Sequence, residues 1–259
     1  MSKRMGQHFL VNKAVLARII ETAEIEPDDI VLEIGPGIGV LTQELAGKAG
    51  KVIAVEKDAV LARILNGELR IMNIKNVEVV QGDILKIDPK SYLLYSNSYK
   101  VIANLPYYIT SPVIRKFLEA KNPPETMVLM VQKEVGQRIC AKPPNMSLLA
   151  VSVQLYAKPE IISYVSKKSF WPQPKVDSAI IKLKMKSEES KVNLDSFFHT
   201  VRTGFTHPRK QLIHNLSTGL KLNRVKVEKW LSDCGIKPEQ RAETLSVDDW
   251  IKLTNSLKT

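Results

Sequence analysis

The stretch IVLEIGPGIG, residues 30–39, joins a short apolar run to three closely spaced glycines. Its aliphatic residues are typical of a buried strand. Glycines directly after a strand allow positive φ values and let a ligand approach the backbone closely. Gly35, Gly37 and Gly39 follow the spacing G-x-G-x-G, which differs from the G-x-G-x-x-G of dinucleotide-binding proteins. The stretch predicts a strand that ends in a ligand-binding turn, although a purely structural turn has the same composition.

The chain around this stretch alternates between strand and helix periods. Further strand-like runs are KVIAVE (51–56), VEVVQGD (77–83), YKVIANLP (99–106) and TMVLMVQ (126–132), and helical patterns lie between most of them. This alternation predicts an α/β fold, with right-handed crossovers and a mainly parallel sheet that is covered on both faces. A later run, SAIIKLKMK from Ser178, is expected to add an antiparallel strand at a sheet edge.

The last part of the chain has a helical period only. The polar stretch SEESKVN (187–193) predicts a domain boundary. Beyond it, apolar residues recur at every fourth position on two predicted helices, at Phe197, Val201 and Phe205 and at Leu212, Leu216 and Leu220. We therefore expect an α/β domain over residues 1–186 and a small all-helical domain over residues 187–259.

The composition is that of a globular protein with a basic surface. Hydrophobic residues make up 44% and charged residues 25% of the 259 residues, and no apolar run is long enough to cross a bilayer. The net charge is +11, and +8 of it lies in residues 157–259, which predicts a polyanionic partner, most commonly nucleic acid. A start without a signal-peptide pattern and only two cysteines predict a cytoplasmic protein without disulfides or a metal site.

Four successive predicted strands end in residues that suit an adenosine ligand: Gly35, Glu56, Asp83 and Asn104. In open α/β sheets such ends meet at the ligand-binding edge. Glu56 can accept both hydroxyls of a ribose and Asp83 can accept from an adenine amino group, although either residue could instead cap a helix. No Gly-Lys-Ser/Thr run is present to bind phosphates, so S-adenosylmethionine is the predicted ligand.

The stretch NLPYY (104–108) predicts the chemistry at this edge. The side-chain oxygen of Asn104 can accept from an exocyclic amino group, and Pro106 fixes the turn so that nearby carbonyls offer a second acceptor. Tyr107 supplies an aromatic face for a base. A neutral amide suits methyl transfer from a sulfonium, because a carboxylate would stabilise the cationic ground state more than the transition state. The alternative is an ordinary turn whose tyrosines pack the core.

The chain resembles the KsgA-type small-subunit rRNA adenine N6,N6-dimethyltransferases over nearly its whole length. The resemblance rests on these stretches: GQHFL (6–10), EIGPGIGVLT (33–42), AVEKD (54–58), QGDIL (81–85), NLPYYITSP (104–112), QKEVGQRI (132–139), FWPQPKVDSA (170–179), FTHPRKQLIHNL (205–216) and RAETLSVDDW (241–250). It implies a Rossmann-like class I methyltransferase domain followed by a helical domain. The departures are His8, where the family often has Asn, and the segments 141–149 and 166–170, which lie near the expected RNA entry.

The resemblance also implies roles for particular residues. Donor binding is expected of His8, Leu10, Gly35, Glu56, Asp83 and Asn104. Catalysis is expected of Asn104, Leu105, Pro106 and Tyr107, with Phe170 on the other face of a splayed-out target base. RNA contacts are expected of Arg138, Lys175, Arg209 and Lys210.

The implied reaction is dimethylation of two adjacent adenosines near the 3′ end of small-subunit rRNA. The implied partner is the assembling small ribosomal subunit, approached by a monomer that does not bind membranes. Three alternatives stay open: an Erm-type enzyme that methylates one adenine of large-subunit rRNA, a non-catalytic RNA-binding assembly factor, and a DNA adenine methyltransferase.

Overall fold

The computed structural model describes residues 8–88, 98–187 and 192–257. Gly6 and Gln7 of the GQHFL stretch and residues 188–191 of the polar boundary stretch lie outside the described residues. The chain forms two compact units. The first unit contains the described residues up to Gly136 together with Lys158–Met185, and the second contains Gln137–Ala157 together with the described residues from Lys186 onward.

The first unit is built on nine strands and on the helices between them. The strands are β1 (Phe9–Leu10), β2 (Ile30–Ile34), β3 (Lys51–Glu56), β4 (Val77–Gln81), β5 (Lys100–Asn104), β6 (Thr126–Gln132), β7 (Ala157–Val165), β8 (Phe170–Trp171) and β9 (Ser178–Met185). The helices are α1 (Lys13–Ala23), α2 (Val40–Ala46), α3 (Ala59–Ile71), α4 (Thr110–Leu118) and α5 (Lys133–Ile139), and α5 extends past the division at Gly136.

Seven of these strands form one sheet in the order β4-β3-β2-β5-β6-β9-β7. The pairs β4–β3, β3–β2, β2–β5 and β5–β6 are parallel, and β6–β9 is antiparallel. The mainly parallel α/β sheet predicted from the sequence is confirmed. The prediction that the SAIIKLKMK strand lies at a sheet edge is wrong, because β7 lies outside it. The first four residues of β9 are fully buried, as the interior position of this strand in the sheet requires.

The central strands carry the apolar side chains that bind the sheet to its helices. Val52, Ile53 and Ala54 of β3 are completely buried, as are Val101 and Ile102 of β5. Burial on both faces explains why these strands have continuous apolar runs and no alternation. β1 and β8 form a separate antiparallel pair in which Phe9 faces Trp171 and Leu10 faces Phe170.

The second unit is helical. Its elements are α6 (Leu148–Tyr156), α7 (Leu194–Gly204), α8 (Leu212–Gly219), α9 (Arg224–Asp233) and α10 (Val247–Ser256). Trp250 is fully buried in a core that includes Phe197, Val201, Leu212 and Leu216, four of the residues whose spacing predicts helices. Within the described part of the chain, no helix is both long enough and apolar enough to cross a membrane.

The two units differ from the predicted domains, residues 1–186 and 187–259, in one internal segment and in Lys186, which belongs to the second unit. Residues 137–157 belong to the second unit, whereas the sequence analysis assigns them to the first domain. The cause is α6, whose Ala150, Val151 and Leu155 pack into the core of the helical unit. The division at Gly136 falls inside α5, so composition alone does not reveal that the chain enters the helical unit here.

Candidate active site

A cleft opens in the first unit at the edge where β2, β3 and β5 end. Its space is about 1180 Å³, part of which is open to solvent, so a small-molecule ligand has room to bind. All ten residues predicted for donor binding or catalysis line this cleft: His8, Leu10, Gly35, Glu56, Asp83, Asn104, Leu105, Pro106, Tyr107 and Phe170. The parallel strands bring Gly35, Glu56, Asp83 and Asn104 together because the carboxyl ends of these strands share one edge of the sheet.

The glycine turn and Glu56 form one hydrogen-bonded unit. Gly35 and Gly37 have φ values of 69° and 60°, which favour glycine. The Gly37 N–H donates to Oε2 of Glu56 at 3.0 Å, and the Asp58 N–H donates to Oε1 at 2.8 Å. Glu56 is only 3% exposed, yet each of its oxygens has lone pairs left for a ligand. The helix-capping alternative for Glu56 is wrong, because Asp58 caps α3.

Asp83 is engaged by a lysine that the sequence analysis did not single out. The Lys57 Nζ lies 2.9 Å from Oδ2 of Asp83, and the Leu85 N–H donates to Oδ1 at 3.1 Å. The hydrogen bond from Lys57 is the main cause that lowers the pKa of Asp83 below its ordinary value. Any amino group that binds Asp83 therefore shares the carboxylate with Lys57. The position of Lys57 directly after Glu56 is the sequence signal that could have identified it.

Asn104 is oriented by the backbone of the chain's first described residue. Its Nδ2 donates to the His8 carbonyl oxygen at 3.1 Å, which leaves Oδ1 as the acceptor of this amide in the cleft. The His8 ring makes its own contact, since Nδ1 donates to the Pro172 carbonyl oxygen at 2.7 Å. The contact with Asn104 uses only the His8 backbone, so the departure at position 8 does not alter it.

Two aromatic side chains line the cleft near Asn104. The Tyr107 hydroxyl shares a hydrogen bond of 2.9 Å with Oγ of Ser178, which fixes the ring, and burial raises the pKa of the phenol. The Tyr107 ring centroid lies 5.8 Å from that of His8. Phe170 is 4% exposed and packs with Leu10 in the core while it also lines the cleft. Tyr107 is therefore half-buried, whereas Phe170 is almost fully enclosed.

Glu33 is a further cleft residue that the sequence analysis did not single out. It is 1% exposed in β2, and burial away from water raises its pKa to about 8. Its Oε2 has no hydrogen-bond partner among the described residues. The carboxyl group is therefore largely protonated at neutral pH. A charged residue inside the apolar run IVLEI is the sequence signal that could have identified it.

The four residues predicted to contact RNA are all exposed: Arg138, Lys175, Arg209 and Lys210. Lys175 lies in the first unit between β8 and β9, and the other three belong to the second unit. Arg209 and Lys210 occupy the turn between α7 and α8. Asn215 holds that turn, because its Nδ2 donates to the carbonyl oxygens of Gly204 and His207 at 2.6 and 3.1 Å.

Among the described residues, no three His, Cys, Asp or Glu side chains are grouped so that they could hold a metal ion. The donor set of the cleft also differs from a metal site. One buried carboxylate accepts from backbone N–H groups, one carboxylate is bound by a lysine, and one amide is bound by a carbonyl. These groups suit the hydroxyl and amino groups of a nucleoside.

The whole chain matches a known family. Residues 1–259 match the family model described as "Ribosomal RNA adenine dimethylase". The curated "Ribosomal RNA small subunit methyltransferase A" of Dehalococcoides mccartyi strain BAV1 is 45% identical over 253 residues, which cover 97% of this chain and 86% of that protein. The protein of the same name from Alkaliphilus metalliredigens is 42% identical and covers 99% of this chain and 91% of its own length.

Two solved structures share the fold over nearly the whole chain. A dimethyladenosine transferase from Plasmodium falciparum is 31% identical with a TM-score of 0.83, and the alignment covers 95% of this chain and 96% of that one. The 23S rRNA methyltransferase ErmE is 32% identical with a TM-score of 0.79, and the alignment covers 97% and 100% of the two chains.

Proposed function

The chain belongs to the ribosomal RNA adenine dimethylase family, and from that membership we propose that it dimethylates N6 of two adjacent adenosines near the 3′ end of small-subunit rRNA. As a member of this family it is an S-adenosylmethionine-dependent rRNA adenine methyltransferase. Its relatives at 45% and 42% identity carry the small-subunit name, which supports the choice of subunit. The proposed partner is the assembling small ribosomal subunit in the cytoplasm. The protein is proposed to bind it as a monomer.

The observation that carries this proposal is the orientation of Asn104. Its amide donates to the His8 carbonyl, so its Oδ1 is presented as an acceptor at the end of β5. The amino group of an adenine can donate to such an oxygen. Glu56 and Asp83, at the ends of the neighbouring strands, offer acceptors that suit the ribose and adenine of a donor nucleoside. Donor and acceptor are thereby expected to meet in one cleft.

In the proposed mechanism, the chain positions an adenine amino group and fixes its geometry. Asn104 Oδ1 accepts one N–H bond and the Leu105 carbonyl accepts the other, which favours a pyramidal nitrogen with a directed lone pair. Tyr107, fixed through Ser178, supports the ring of the base, and Phe170 borders it. S-adenosylmethionine, when bound, supplies a methyl group to which N6 forms a bond as the carbon–sulfur bond breaks and a proton leaves to solvent. Positioning alone can supply roughly 7–11 kcal/mol in the best cases.

The proposed donor contacts follow from the free acceptors of the cleft. Glu56 would accept from the ribose hydroxyls, and Asp83 would accept from the adenine amino group while it keeps its contact with Lys57. The backbone at Gly35, His8 and Leu10 would border the remaining part of the donor. The proposed fit between the donor ribose and the cleft rests on Glu56, because this residue is almost fully buried and accepts only one backbone N–H at each oxygen.

The direct test is a methylation assay on small subunits from a strain that lacks this modification. The subunits are incubated with the protein and labelled donor, the rRNA is digested to nucleosides, and dimethyladenosine is measured. We expect two dimethyladenosines per subunit with the native sequence and none with Asn104→Ala. A native protein that binds the donor but leaves the rRNA unmethylated would contradict the proposal and favour a non-catalytic assembly factor.

An Erm-type activity is the second candidate, because the ErmE structure matches this chain as fully as the dimethyladenosine transferase does. Expression in a macrolide-sensitive host separates the two. We expect no resistance, and dimethyladenosine in the small-subunit rRNA only. Resistance together with methylated large-subunit rRNA would replace the proposed substrate by the large subunit.

A further inference from the structure

Trp171 is the exposed member of a two-residue strand whose other member is buried. The Trp171 side chain is 62% exposed, whereas Phe170 is 4% exposed. Successive side chains of a strand point to opposite faces, so β8 directs one aromatic ring inward and the next one outward. The other two tryptophans are more enclosed, since Trp250 is fully buried and Trp230 donates to the Leu253 carbonyl and to Ser256. Trp171 is therefore the most exposed of the three tryptophans.

The backbone of Trp171 is tied to the rim of the cleft on both sides. Phe170, directly before it, lines the cleft. Pro172, directly after it, accepts a hydrogen bond from His8, which also lines the cleft. Across the β1–β8 pair, Trp171 faces Phe9, another cleft residue. Trp171 itself does not line the cleft. Its backbone neighbours and its strand partner do, so the indole lies next to the cleft.

From this placement we infer that Trp171 is a stacking surface for the nucleotide next to the target adenosine. The inference rests on the proposed function, which brings a single-stranded RNA segment to this cleft. Aromatic side chains bind such segments because every base has a π-face, and cationic side chains close by attract the phosphates. Lys168 and Lys175, three and four residues away, are both exposed. An indole flanked by lysines suits a nucleotide better than it suits an apolar protein surface.

The inferred role is that of a positioning residue. A target base must leave its stack before it can enter the cleft, and its neighbour then loses a stacking partner. An indole at the cleft rim replaces that partner and so lowers the cost of splaying the target out. Loss of one such stack weakens RNA binding by roughly 5- to 150-fold. Donor binding takes place inside the cleft and should not change.

The test compares Trp171→Ala and Trp171→Phe with Tyr164→Ala, which removes another exposed aromatic ring of the first unit. Binding of a labelled ten-nucleotide single-stranded RNA with two adjacent adenosines is measured by fluorescence anisotropy. We expect Trp171→Ala to weaken binding by roughly 5- to 150-fold. Trp171→Phe and Tyr164→Ala should bind within a few-fold of the native protein. The donor Kd should be the same in all four proteins.

Intrinsic fluorescence supplies a second readout that a merely structural role would not change. The unlabelled RNA should quench the tryptophan emission of the native protein and should leave that of Trp171→Phe unchanged at saturation. Native RNA affinity in Trp171→Ala, or equal losses in Trp171→Ala and Trp171→Phe, would overturn the inference. So would loss of subunit binding in Trp171→Ala with normal RNA binding, which would indicate a protein contact. Failure of the proposed function is a separate result, namely absence of dimethyladenosine with the native protein.

Discussion

In the first unit the buried carboxyl groups of Glu33 and Glu56 line a cleft, whereas in the second unit the buried hydroxyls of Thr200 and Thr254 donate to carbonyl oxygens one helical turn away. Both units thus enclose polar groups, and Glu33 and Glu56 of the first unit face space that a ligand can enter. Thr200 and Thr254 use their hydroxyls for hydrogen bonds within their own helices. Chemistry is therefore expected in the first unit, and the second is expected to contribute through its exposed basic residues.

The largest effect should come from the pair of substitutions Asn104→Ala and Asn215→Ala. Each removes an amide that donates to backbone carbonyls, but only Asn104 lies in the cleft. We expect Asn104→Ala to lower kcat by about 100-fold or more, since it removes an acceptor for the reacting amino group. We expect Asn215→Ala to cost about 1–3 kcal/mol of unfolding free energy, because two carbonyls lose their donor.

Steady-state methylation and urea denaturation of the two variants measure this contrast. Folded Asn215→Ala should keep a kcat close to that of the native protein, and Asn104→Ala should keep most of its stability. A native kcat in Asn104→Ala would remove it from the catalytic machinery. A large kcat loss in folded Asn215→Ala would contradict the separation between the two units.

The next effect concerns the pH dependence of stability that the buried Glu33 should impose on the first unit. Its pKa is about 8 in the folded protein and near the ordinary 4.5 in the unfolded chain. Below pH 4.5 both states hold the proton, so its stabilising contribution is fully present. Between these values only the folded state holds the proton, so stability falls as pH rises and the loss is complete above about pH 8.

Glu33→Gln removes this proton equilibrium while it keeps the shape of the side chain. Its free energy of unfolding should therefore rise relative to the native protein by at most about 1.4 kcal/mol per pH unit across this range. Denaturant titrations of both proteins at pH 5.5, 7 and 8.5 measure the difference. If the two proteins differed in unfolding free energy by the same amount at every pH, Glu33 would be ionised in the folded state.

A third contrast uses one helical glycine from each unit. Gly67 in α3 has nothing within 4 Å of the position of an added Cβ, whereas a Cβ at Gly204 in α7 would overlap the buried Trp250 ring. Gly204→Ala should destabilise the protein by about 1–3 kcal/mol through overpacking. Gly67→Ala should stabilise it by roughly 0.5–1 kcal/mol, because alanine favours the helix. Thermal or urea unfolding gives both values, and opposite signs are the expected result.

The smallest effect concerns the exposed turn between α7 and α8, which contains Arg209 and Lys210. Replacement of both Arg209 and Lys210 by Ala should weaken RNA binding and reduce the slope of log K against log salt by roughly 0.7–0.9 per lost phosphate contact. The donor affinity of the cleft should stay unchanged. Titrations of RNA at four salt concentrations provide the slope. An unaltered slope would remove these two residues from the RNA interface.

The residues that meet at the cleft are predictable from the sequence because they depend on local signals. Glycines must follow β2, and Glu56 and Asn104 must end their strands, so residue type and position together identify the site. Lys57 and Glu33 are harder to identify, since an ion pair and a raised pKa depend on neighbours that only the folded chain brings together. β7 and the return of α6 to the helical core are also non-local, because they are decided by the surface that each element covers.

The reversed direction of β9 has a consequence for how the site is assembled. Ser178 begins β9 and pairs with Gln132, the last residue of β6, so it stands at the edge where the parallel strands end. A parallel strand in the same place would present its last residue there and would send its preceding loop to the opposite edge. Because β9 is antiparallel, the chain segment that precedes Ser178 lies at the edge where the parallel strands end, although it is distant from them in sequence. That segment includes Phe170, which lines the cleft, and Trp171, which pairs with Phe9 of β1.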